Sequence, residues 1–132
     1  MKPVSVVSML IAGILSTAIN AAVTDDDFKV TTSANLINLC TAAPDDPRYR
    51  EAIHFCHGYL VGAFHYYRAQ ETGPKGSKFL CIPEPKPTRN EAIDRFIAWA
   101  QQHPEYRNEV PVETEFRFLI ESWPCRNVTQ QK

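Results

Sequence analysis

His54, Cys56 and His57 form the densest group of metal-ligating and nucleophilic side chains in the chain. On a helix, His54 and His57 stand at i and i+3 and share a face. A metal site needs three or four ligands converging on one point, and no third ligand neighbours this pair. Haem attachment needs a cysteine three residues before Cys56, and Ile53 stands there instead. A Cys–His nucleophile needs a free thiolate, which a disulfide-bonded Cys56 cannot supply. Glu113 and Glu115, at i and i+2, point to different sides of a helix and form no acid–base dyad. No G-x-S-x-G, H-E-x-x-H or phosphate-cradling glycine loop occurs in the sequence. These residues argue against an enzyme, a metal site and a cofactor, and they turn attention to binding.

The four cysteines, Cys40, Cys56, Cys81 and Cys125, follow an export-like N-terminus. Lys2 is succeeded by an uncharged, mainly apolar stretch from Val4 to Val23, with small residues at its end. That order is the pattern of a cleavable secretory signal over residues 1–22, with cleavage after Ala21 or Ala22 and Ala18 as the alternative. No cysteine near its end would carry a lipid. An exported chain with an even cysteine count reads as a small domain braced by two disulfides, in the periplasm or outside the cell. Beyond the signal, an acidic lead-in over 23–31 is expected to be flexible, residues 32–126 form one domain, and 127–132 are a disordered tail. Loss of Lys2 leaves 13 basic residues against 15 acidic ones. Such a balance is no footprint for nucleic acid or for an anionic membrane.

Four helices must position these residues. The first opens at Thr32 or Ser33 and carries Leu36, Leu39 and Cys40. The second takes Asp46 as N-cap and Pro47 as first helical residue, and stops at Gly73-Pro74. Its expected apolar face is Tyr49, Ile53, Cys56, Tyr59, Leu60, Ala63 and Tyr67. The third opens at a capping box, Thr88 to Glu91, and closes at Pro104. The fourth runs from Pro111 through Phe116, Leu119 and Ile120 to Trp123. No alternating stretch is long enough for a strand, so the fold class is all-α, a small bundle of about four helices.

Four cysteines allow three connectivities. If the third and fourth helices form an antiparallel hairpin, its open end brings Cys81, before the third, beside Cys125, after the fourth. Cys40 and Cys56 then join the first helix to the second. Gly58 and Gly62, at i and i+4 on the second helix, each cost up to about 1 kcal/mol of helix propensity relative to alanine. A close approach offsets that cost, made either by another helix of the same chain or by a second copy in a homodimer. Lys75 and Lys78 lie in the loop 72–78, which is a candidate partner-contact element, as is the hairpin tip 102–109.

Several cysteine-centred motifs occur in a fixed order: Leu36-x-x-Leu39-Cys40, Cys56-His57-Gly58-Tyr59-Leu60-x-Gly62, Phe79-Leu80-Cys81-Ile82-Pro83, His103-Pro104 and Trp123-Pro124-Cys125. Together they resemble the family of periplasmic immunity proteins that protect against type VI secretion amidase toxins. The resemblance runs from about Thr32 to Cys125. It implies a small helical periplasmic protein, often a homodimer, that binds a peptidoglycan-cleaving amidase and blocks its active-site cleft. It transfers scaffold positions and no toxin-contacting residue. The chain departs from the family pattern at Phe116, Arg117 and Phe118, where small residues are expected, and at the bulky His65, Tyr66 and Tyr67. The alternative reading is a periplasmic stress chaperone that unfolds in acid and exposes apolar surface.

Overall fold

Capping chemistry sets the frame. In the computed structural model, which describes residues 21–125, α1 spans Ser33–Cys40, α2 Tyr49–Glu71, α3 Arg89–Gln102 and α4 Pro111–Ser122. Short 3-10 turns occupy Asp27–Lys29 and Pro104–Tyr106. At the start of α3 the Thr88 hydroxyl accepts from the Glu91 N–H at 3.3 Å, and the Glu91 carboxylate accepts from the Thr88 N–H at 2.7 Å. Two of the four donors that a helix start leaves unpaired are satisfied in this way. The start of α1 is satisfied through tertiary contacts: the Ser33 N–H donates to the Glu109 carbonyl at 2.8 Å, and the Ala34 N–H to the Arg107 carbonyl at 2.9 Å. Those two bonds fasten α1 to the segment between α3 and α4, beside a buried pair of hydroxyls, Ser33 and Thr114, 2.6 Å apart.

The second helix starts later than the sequence suggests. Arg48 is its N-cap and Asp46 lies outside it. Asp46 instead uses one carboxylate oxygen to accept from the Arg48 N–H at 2.8 Å and the other to accept from the Val23 N–H at 2.9 Å. Aspartate readily bonds the backbone two residues on, which holds a turn rather than a helix. The buried face of α2 is also narrower than its periodicity suggests. Ala52, Cys56, Leu60 and Tyr67 are buried, while Tyr49 is exposed and Ile53, Tyr59 and Ala63 are half-buried.

The core joins Leu36 and Leu39 of α1, Ala52, Cys56 and Leu60 of α2, Ile93 and Phe96 of α3, and Phe118 and Leu119 of α4. Its geometry is pinned by the two expected disulfides. Cys40–Cys56 joins α1 to α2, and Cys81–Cys125 joins the segment before α3 to the end of α4. The second bond sits in an antiparallel bridge, Leu80 opposite Pro124, in which the Cys81 N–H donates to the Trp123 carbonyl at 2.9 Å. No strand is formed among the described residues. The fold is all-α with four helices. The signal expected to end at Ala22 lies, through residue 20, outside the described residues, as does the tail 127–132.

Candidate functional site

A groove of about 580 Å³ opens where α2, α3, α4 and the loop before α3 meet. Leu60 and Phe64 from α2, Ile93 and Phe96 from α3, and Phe118 and Trp123 from α4 give it apolar walls. The volume falls within the few hundred to 1,000 Å³ usual for ligand sites. The loop forms the remaining wall because Tyr67 fixes it: the phenol oxygen accepts from both the Phe79 and Leu80 N–H groups at 3.1 Å. Phe79 and Phe116 pack around the same ring, with centroids 4.4 and 5.7 Å from it. Tyr67 and Phe116 thus back this wall from behind without lining the groove.

Glu115 lines the groove and is 4 % exposed. Its Oε2 has no hydrogen-bond partner among the described residues. Burial disfavours the charged form and pushes the carboxyl up to about 8, so Glu115 is protonated at neutral pH. An unpaired buried polar group costs about 1–3 kcal/mol. Tyr59 is raised as well, first by burial and then by the nearby Glu115. The sequence pairing with Glu113 misdirects here. The two do point apart, and the position that matters is Glu115 on the apolar face with Pro111, Phe118 and Leu119. That periodicity was the available signal.

The rim is cationic. Arg68, Lys78, Lys86 and Arg89 line it, with Glu84 the acidic side chain at the rim. Arg68 pairs with Glu71 at 2.9 Å and Lys86 with Glu84 at 3.7 Å. Of the two loop lysines singled out in the sequence, Lys78 lines the groove, whereas Lys75 is exposed and does not. His57 is lowered, first by burial and then by Arg89. Among the described residues no group of three or more His, Cys, Asp or Glu is placed to hold a metal ion. Cys56 is consumed by its disulfide. Gly58 and Gly62 are exposed, and an added Cβ would meet nothing within 4 Å at either. Among the described residues no intrachain approach occurs at these glycines, because α2 buries its Cys56–Leu60 side.

A second buried carboxylate sits in the lead-in. Asp27, 6 % exposed, accepts from the Thr24 N–H and hydroxyl at 2.8 Å, from Asn38 at 2.8 Å and from Asn35 at 3.3 Å. Burial alone would raise its pKa, but the bonds from Thr24, Asn38 and Asn35 outweigh it, and the carboxyl lies below its ordinary range. The segment 23–31, expected to be a flexible lead-in, is thus packed on α1 and α2, with Phe28 edge-on to Phe55 at 5.5 Å. Arg48 lies over the Phe28 ring and pairs with Asp25.

Fold and site together define a small, disulfide-braced helical domain with an apolar, cation-rimmed groove. The sequence pattern of the Rap1a immunity proteins matches residues 32–125. The chain belongs to that family, whose members are immunity proteins against type VI secretion effectors. No curated protein and no solved structure matches the chain.

Proposed function

We propose that this chain is a periplasmic immunity protein that binds a peptidoglycan-degrading type VI amidase and occludes its active site. Membership of the Rap1a family over residues 32–125 carries the reading. The secretory pattern of residues 1–22 and the two disulfides support export to an oxidising compartment. Occlusion asks for no catalytic group on the inhibitor, only a rigid surface. The brace between Cys81 and Cys125 supplies rigidity beside the loop 72–88, whose Lys75 and Lys78 are exposed. Pairing with a second copy is supported by the open α2 face at Gly58 and Gly62, and light scattering on the mature protein tests it.

The deciding experiment directs the toxin encoded beside this gene to the periplasm of a host that lacks its own protection. Co-expression of the exported chain restores growth, and the two proteins elute as one complex. Lysis unchanged by the chain, together with separate elution, rejects the reading.

A further inference from the structure

Glu115 and the cationic rim make two different demands on whatever fills the groove. The deep end offers a neutral carboxyl whose carbonyl oxygen can accept from a donor carried on an apolar body, since Glu115 Oε2 has no partner among the described residues and its surroundings are Leu60, Phe96 and Phe118. The mouth needs negative charge. Lys78 and Arg89 enter no ion pair among the described residues, and they stand in a chain of formal net charge −1. A local excess of one sign, opposite to that of the whole molecule, steers and registers a partner of the complementary sign.

We propose that the groove is a docking site for an acidic segment of the effector protein, anchored by a tryptophan whose indole N–H donates to Glu115 while flanking carboxylates engage Lys78 and Arg89. The inference rests on the immunity reading and locates its contact surface. Tryptophan joins a large apolar ring to a single donor, and such residues are enriched among the anchors that dominate protein interfaces. The chain's own segments fit poorly. Residues 1–20 and 126–132 contain no aspartate or glutamate. The acidic run Asp25–Asp27 is already engaged, Asp25 by Arg48, Asp26 by Lys29 and Asp27 by Thr24 and the asparagines of α1.

The test titrates the mature protein into three labelled pentapeptides and follows fluorescence anisotropy. One has tryptophan between two pairs of acidic residues, the second replaces tryptophan with phenylalanine, and the third replaces the acids with lysine. The acidic tryptophan peptide should saturate and the lysine peptide bind at least about tenfold more weakly. The double variant Lys78→Glu/Arg89→Glu should lose about tenfold or more for the acidic peptides. Glu115→Leu should weaken the tryptophan peptide and leave the phenylalanine peptide unchanged, a selectivity that a general loss of folding would not produce. Equal binding of acidic and basic peptides, or no saturation by the acidic tryptophan peptide at millimolar concentration, overturns the proposal. If the peptide binds but growth rescue fails, the immunity reading falls and the groove's specificity stands. If rescue succeeds and the peptide does not bind, the groove assignment alone falls.

Discussion

Asp27 and Glu115 are buried to nearly the same depth, 6 % and 4 % exposed, yet their surroundings drive them in opposite directions. Asp27 collects donors from Thr24, Asn35 and Asn38 and stays ionised. Glu115 has apolar neighbours, an oxygen without a partner, and a proton at neutral pH. The contrast separates a finished site from an unfinished one. Satisfied buried networks rigidify and specify a fold, whereas a lone buried polar group is a cost that calls for a reason. The lead-in is held firmly enough that Val30, a β-branched residue, adopts a positive φ of 42° at its end, a conformation costing about 1–2 kcal/mol. Nothing comparable completes the groove among the described residues.

The pH response gives the largest expected separation between the two sites. Glu115 rises from an ordinary 4.5 in the unfolded chain to about 8 in the folded one. The folded state therefore keeps a proton that the unfolded state releases, and stability falls as pH rises from about 4.5 to about 8. At about 1.36 kcal/mol per pKa unit the loss is about 4–5 kcal/mol. Urea unfolding followed by circular dichroism at several pH values should show this fall in the wild type and its absence in Glu115→Leu. Parallel profiles for the two proteins would erase the contrast.

Next in size come the two disulfides, one beside each site. They join residues 44 apart for Cys81–Cys125 and 16 apart for Cys40–Cys56. Replacing the first pair with alanine should cost about 4 kcal/mol and the second about 3 kcal/mol, because the longer loop gains more freedom when released. Denaturant midpoints of the two double variants check that order. Asp27→Ala follows, at about 2–3 kcal/mol near pH 7, since it strands several donors at once. The folded pKa of Asp27 lies below its unfolded value of 3.8. Its contribution is thus complete above that value and lost as pH falls through the folded pKa, so wild type and variant should converge in strong acid. The smallest effect has the opposite sign. In the monomer, Gly58→Ala and Gly62→Ala should each raise the melting temperature, by the equivalent of up to about 1 kcal/mol, because the added methyl meets no atom among the described residues.

Local rules predicted the local structure. The capping box at Thr88 and Glu91, the proline opening α4 and the cysteine pairing all depend on neighbours a few residues away or on the order of elements, and all are present. What the sequence concealed depends on distant partners. Asp27 reads as one of three solvated acids until Asn35 and Asn38 are brought across from α1. Asp46 reads as a helix cap because its competing bond to Val23 spans 23 residues. The helix period placed Glu115 on an apolar face in plain view, but its lack of a partner became visible only once α2, α3 and the loop had closed over it. Lys78 and Arg89 likewise meet at one rim only through the loop that Tyr67 pins.

The bond between Cys81 and Cys125 has a further consequence in time and place. It ties down the segment carrying Leu80 and Ile82 against Trp123, and these residues form part of the groove. Without that tie the groove wall is held by noncovalent contacts alone, the hydrogen bonds to Tyr67 and Trp123 among them. On the periplasmic reading proposed above, oxidation completes this surface in the compartment where the proposed target is met. One covalent bond thus makes the shape of the groove answer to the redox state of its surroundings.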